Sequence, residues 1–304
     1  MSSNINRKQS SGPLARRRQL LQLLGLSAAE LALFTKGSLA QPVHTNEALK
    51  GNIHHSVCRW TFSHLSMAEL CETVSRIGFS AIDLVEPQDW PILKAAGIDV
   101  SMCSGAEIDL DKGWNNPIYH NRLLHNYRQH IELMREAGYQ NLICFTGNRG
   151  AINDAQGLKH CVRGLKKLLP HAEKHGITLH LEILNSRIDH PDYMGDHSDF
   201  VFEVCRQIDS AHLNALFDIY HVQISEGDII RRIKKNAQYI GHYHTGGVPG
   251  RGEIGETQEL NYRAIMQAIV ATNYTGYVAQ EFLPKGSPAE KEAALQRAIR
   301  ICDI

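Results

Sequence analysis

Four short apolar runs in the second half of the chain limit what it can fold into, because each ends in a side chain able to bind a metal. They read Thr178-Leu-His-Leu-Glu182, Leu213-Asn-Ala-Leu-Phe-Asp218, Tyr239-Ile-Gly-His-Tyr-His244 and Tyr277-Val-Ala-Gln-Glu281. Their last residues lie 36, 26 and 37 positions apart, which leaves room in each gap for one helix and the next strand of a βα unit. When such units close into a parallel barrel, the C-terminal strand ends meet at one mouth, where barrels of this kind keep their active sites. Two Glu, one Asp and one His would then converge on a small volume.

The first half continues the pattern. Strands are expected at His54–Phe62, Ala81–Val85, Asp99–Cys103 and Asn141–Phe145. A helix should start at Ser66, with Glu69 three residues on as a capping box, and stop at Ile77 before Gly78. Residues 121–137 have helical apolar spacing (Leu124, Tyr127, Ile131, Met134), and 157–175 read as another helix closed by Gly176. Further helices are expected over 198–208, 227–236, 262–271 and 288–301. Alternating strands and helices imply a parallel sheet. Eight strands, with no repeat or linker, imply an α/β chain with one (β/α)8 barrel domain over about 50–304.

Composition excludes several function classes. With 32 basic against 32 acidic residues there is no electrostatic footprint for nucleic acid or a membrane surface. No apolar run is long enough to span a bilayer, so stable membrane association is not expected. Seven Cys without regular spacing read as reduced thiols rather than a disulfide framework. Residues 1–40 stand outside this pattern. Arg16-Arg17-Arg18 precedes a short apolar stretch (Leu23 to Phe34) and the small-x-Ala pattern Ser38-Leu-Ala40. This resembles a twin-arginine (Tat) export signal, the alternative being a disordered basic tail beside an amphipathic helix, which Glu30 favours. A functional leader would make the protein periplasmic, and a non-functional one cytoplasmic.

Side chains two apart on a strand share a face, so His180 goes with Glu182 and His242 with His244. In a barrel that face is the interior, normally filled by packed, mostly branched side chains, where an unpaired carboxylate costs several kcal/mol. A cation shared by Glu182, Asp218, His244 and Glu281 is the economical explanation. The alternatives are a buried Glu–His pair or carboxylates capping the next helix. Oxygen ligands with one imidazole suit Mg²⁺, Mn²⁺ or Co²⁺ better than structural Zn²⁺. His221 lies one turn past Asp218, to hold a substrate oxygen or orient that ligand, or else to face solvent at a helix start. Asn185 and Arg187 follow Glu182 in one loop, and Arg251 follows His244 in a glycine-rich one. Either Arg can clamp a carboxylate or phosphate, or be a solvated loop charge. Thr146 to Arg149 carries a weaker signal for the mouth. His180 and His242 read as barrel histidines rather than ligands, and Trp60 as a pocket wall or ordinary core.

The segments Glu182–Tyr193, Phe217–Gln223, Gly241–Arg251 and Gln280-Glu281 resemble the hydroxypyruvate isomerase family, among the xylose isomerase-like TIM barrels of sugar isomerases and epimerases. The similarity runs through residues 54–285. It implies a divalent metal held at Glu182, Asp218, His244 and Glu281, with the two Glu as the acid/base pair and His221 and Arg251 at substrate-binding positions. The better-known hydroxypyruvate isomerases carry Gln where this chain has His244, whereas ketose 3-epimerases carry His.

The reaction expected on this basis is an aldose–ketose type isomerisation through an enediolate. Hydroxypyruvate would become tartronate semialdehyde, with Arg251 or Arg187 on its carboxylate. The alternative is a sugar or cyclitol epimerase, isomerase or dehydratase at the same site, which His244 and export favour. A metal-dependent endonuclease would need extra ligands and a basic groove, and a non-catalytic sugar-binding protein would not need the acid/base carboxylates. The partner is thus a small hydroxy-keto acid or sugar, and a homo-oligomer is compatible with the sequence.

Overall fold

The computed structural model describes residues 48–304, so the leader expected over 1–40 lies outside the described residues. Eight parallel strands pair in chain order and close, the last against the first. They are β1 His54–Cys58, β2 Ala81–Val85, β3 Asp99–Cys103, β4 Asn141–Cys144, β5 Thr178–Glu182, β6 Leu213–Asp218, β7 Ile240–Thr245 and β8 Tyr277–Gln280. Around them lie α1 Met67–Ile77, α2 Trp90–Ala96, α3 His120–Ala137, α4 Asp154–Lys174 and α5 Ser198–Ile208. Then follow α6 Ile219–Ser225, α7 Ile229–Asn236, α8 Tyr262–Val270 and α9 Pro288–Cys302.

Local chemistry sets the boundaries. Ser66 and Glu69 form the expected capping box on α1, and Gly78 ends it in the left-handed region at φ 109°. Asn153 and Gln156 do the same for α4, which therefore starts three residues earlier than periodicity suggested. β1 stops at Cys58 rather than Phe62, because the chain turns there into a 3-10 segment. The Thr61 hydroxyl donates to the Cys58 carbonyl at 2.9 Å. Two helices, α2 and α6, were not expected. At seven residues each they are too short to show a helical period.

Strand residues such as Val57, Ile82, Leu142, Leu179 and Leu181 pack outward onto α1, α3, α4 and α5 through Leu70, Val74, Tyr127, Ile131, Leu165, Leu168 and Val201. The interior corrects an expectation. Instead of mostly branched side chains, one side holds Asp83, Ser101, His180, His242 and His244, all buried. Apolar filling is confined to a second cluster of Met102, Ile143, Phe145, Leu184, Tyr193 and Leu216. All seven Cys are buried and unpaired. Among the described residues no helix is long and apolar enough to cross a membrane.

Candidate active site

Glu182 ends β5, Asp218 ends β6, His244 is the penultimate residue of β7, and Glu281 follows the last residue of β8. The Glu281 amide still bonds the Thr245 carbonyl at 3.1 Å, so the ladder fixes its place. All four are buried, and one ligand atom from each lies within 4.8 Å of the others. His244 Nδ1 is 3.1 Å from Glu182 Oε1 and 2.8 Å from Glu281 Oε2. Asp218 has two roles: Oδ1 accepts the His221 amide at 3.1 Å and caps α6, while Oδ2 faces the cluster.

Beneath them sits Asp83, which sequence reasoning missed. It is fully buried on β2, with its two oxygens 2.9 Å from His244 Nε2 and 2.9 Å from His242 Nε2. Ser101 Oγ and the Cys58 thiol also donate to it. Against burial, Glu281 and Asp83 hold His244 well above the usual imidazole range. With a cation bound, Nε2 anchored on Asp83 would keep its proton and leave Nδ1 to the ion, the usual second-partner arrangement of a metal-bound imidazole. Three carboxylates and an oriented imidazole fit a hard or borderline divalent cation. The signal in the sequence was a lone acid inside the apolar run Ala81–Val85, the same anomaly that marks Glu182.

Arg251 enters this cluster and Arg187 does not. Arg251 is buried at φ 51°, and its Nη2 donates to Asp218 Oδ2 at 2.6 Å and to Glu281 Oε2. Its Nη1 is 3.2 Å from His221 Nε2, and its guanidinium carbon lies 4.9 Å from the centroid of the Tyr220 ring. Arg187 is exposed and does not line the cavity. His221 is buried rather than solvent-facing, with Nδ1 2.6 Å from Asn185 Nδ2. The Asn185 oxygen accepts the amides of Ile188 and Asp189, so the nitrogen must face His221. Nδ1 is then the acceptor, and the imidazole proton sits on Nε2, facing the site. Trp60 Nε1 donates to Glu281 Oε1 at 2.7 Å. Arg149 is tied to Asp154 and Asp196 and clamps its own loop. His180 is held by Asn141 at 3.0 Å.

Burial drives the electrostatics. It raises the Glu182 carboxyl, and His244 offsets this only in part. It pushes Asp218 up to about 7 against the pull of Arg251. Glu281 is also buried, yet Arg251 and His244 together hold it well below the usual carboxylate range. His221 is lowered by burial and by the Arg251 charge, and so stays neutral.

Glu182, Glu281, Arg251 and His221 form the polar side of a cavity of about 570 Å³, with Asp218 and His244 buried behind them. The opposite wall is apolar, built from Leu84, Leu110, Ile143, Phe145, Leu184 and Ile188. Leu84 reaches it through a register shift in β2 that puts its backbone at φ 55°, a strained conformation for a leucine.

A family model described as xylose isomerase-like TIM barrel matches residues 71–302. The 2-oxo-tetronate isomerase of Cupriavidus necator is 34% identical over 114 residues, 38% of this chain and 43% of that protein. The hydroxypyruvate isomerase of Escherichia coli is 30% identical over 159 residues, 51% of this chain and 60% of that protein. The chain thus spans about half the length of these relatives. The crystal structure titled AP endonuclease, family 2 from Brucella melitensis superposes with a TM-score of 0.73 at 21% identity, covering 80% of this chain and 96% of that one, a likeness of fold.

Proposed function

Because the chain belongs to the xylose isomerase-like TIM barrel family, we propose that it is a metal-dependent isomerase of short hydroxy-keto acids, with hydroxypyruvate as the leading substrate. The observation that carries this is the meeting of two buried glutamates, from β5 and β8, and the buried Arg251 guanidinium in one cavity. Glu182, Asp218, His244 and Glu281 would hold a divalent cation, which when bound would supply the Lewis acidity that acidifies the proton next to the substrate carbonyl. One glutamate removes that proton, from C3 of hydroxypyruvate, and the other returns a proton to C2, while the hydroxyl proton passes from O3 to O2, giving tartronate semialdehyde. Arg251, whose Nη2 is engaged by Asp218 and Glu281, would hold the substrate carboxylate through Nη1, a charge-assisted hydrogen bond. The Nε2–H of His221 faces a donor in Arg251 at 3.2 Å and Asp218 Oδ2 at 3.8 Å, beyond hydrogen-bond reach, so a substrate oxygen placed there gives it an acceptor. Trp60 fixes the rotamer of Glu281, and the apolar wall keeps water from the reacting carbons.

The test is an assay of the Mn²⁺-loaded protein in D₂O with hydroxypyruvate, 2-oxo-tetronate, ketohexoses and inososes. Turnover of the acids with deuterium at the α-carbon is expected, with selective loss in Arg251→Ala. Failure of every substrate to exchange its α-proton would overturn the reading. A sugar or cyclitol epimerase is the second reading, favoured by the imidazole among the ligands and by a cavity large for a three-carbon acid. Turnover of polyols with indifference to Arg251→Ala would establish it instead.

A further inference from the structure

A second group of metal-capable side chains lies on the outer helices, at the barrel end opposite the mouth. His171 is in the last turn of α4, and His175 caps that helix four residues on. Spacing of i and i+4 puts both imidazoles on one helix face, and their ring centroids are 4.8 Å apart. Both Nε2 atoms are shielded from solvent and lack a hydrogen-bond partner. Both lie close to the same atom, Oε1 of Glu132 on α3, at 3.3 and 3.2 Å. The other oxygen of Glu132 accepts from Arg135 Nε at 3.1 Å, which fixes the carboxylate and leaves Oε1 for the histidines.

We propose that Glu132, His171 and His175 form a peripheral site for a transition-metal dication of the Zn²⁺ class, separate from the active site. Zn–N bonds of about 2.0–2.1 Å and Zn–O bonds of about 2.0–2.2 Å at tetrahedral angles set the ligand atoms about 3.3–3.4 Å apart. The two N–O separations, 3.3 and 3.2 Å, fit that edge, and all three ligand atoms lie within 4.8 Å of one another. Two imidazoles and one carboxylate suit this class of ion. The C-terminal end of α4 adds the favourable half of a helix dipole. Glu132 is partly exposed, so the fourth position opens to water. The ion would clip α3 to α4 just before β5 begins. An imidazolium–carboxylate pair is the competing arrangement, but it would align at least one N–H on the oxygen, and neither is aligned.

The experiment is a Zn²⁺ titration of the purified protein against a chromogenic chelator, comparing wild type with His171→Ala/His175→Ala and with Glu132→Gln. Zinc at the active site is common to all three and cancels. Wild type should bind one Zn²⁺ per chain more than the double variant, and Zn²⁺ should raise its melting temperature further. Glu132→Gln, which keeps the helix packing, should weaken that extra site by more than about tenfold, since even an outer-sphere partner is worth that much. Equal stoichiometry in wild type and both variants would overturn the proposal, as would an extra ion unaffected by Glu132→Gln.

Discussion

Replacing Asp83 by Asn should weaken metal binding although Asp83 is not among the four candidate ligands at the mouth. The carboxylate is fully buried and lies 2.9 Å from His244 Nε2. A hydrogen bond to a charged partner is worth about 1.5–3 kcal/mol. At about 1.4 kcal/mol per factor of ten, that corresponds to ~10–150-fold in affinity for an ion that needs the imidazole held. Removing outer partners of metal-bound histidines typically costs about 10–100-fold, so the two routes agree. Asn is the right probe because it keeps the shape and one acceptor oxygen. Ala would strand the donors of His244 and Ser101 in the interior. Mn²⁺ binding by electron paramagnetic resonance should be measured in wild type, Asp83→Asn, His244→Gln and the double variant. Asp83 acts through the imidazole, so its effect should largely vanish once residue 244 is Gln. A change below about twofold in the single variant, or an equal loss in both backgrounds, would refute the reasoning.

Two other outcomes follow from the geometry. Glu182→Gln and Glu281→Gln should each lower turnover by at least about 10²–10⁴-fold, the usual worth of a positioned acid or base; near-wild-type rates in either would remove the acid/base assignment. Acid should destabilise the fold through His55 and His130, whose pKa values burial lowers to about 4 from 6.5. The unfolded chain binds more protons between those limits, so this stability is complete above about pH 6.5 and is lost as pH falls toward 4, at up to about 3 kcal/mol each. Urea midpoints of wild type should therefore fall more steeply over that window than those of His55→Gln/His130→Gln, and parallel curves would contradict it.

The strands were readable because short apolar runs bounded by Gly and helix caps carry their own signal, and the four barrel-mouth residues were readable because strand parity and strand ends are local properties. Asp83 was not, because its importance lies in His244, which is distant in sequence and meets it only across the barrel. Arg251 and Arg187 looked alike for the same reason. Both sit in loops after a ligand, and only the loop path, with Arg251 at φ 51° between bridged Gly247 and Gly252, sends one inward. The apolar wall depends on the β2 register shift at Leu84, which no residue pattern announces.

The four candidate ligands all come from β5 to β8, but the residues that aim them do not. Asp83 belongs to β2 and Trp60 to the turn after β1. Pairing of His54 with Tyr277 and of Val57 with Gln280 closes the ring, and only that closure brings Trp60 to Glu281. During synthesis the site therefore cannot mature strand by strand. A nascent chain that has released seven strands holds three ligands and no aligned pair of acids. On the proposed function, competence would arrive in one step with the eighth strand, and a prematurely terminated product would be inert rather than partly active.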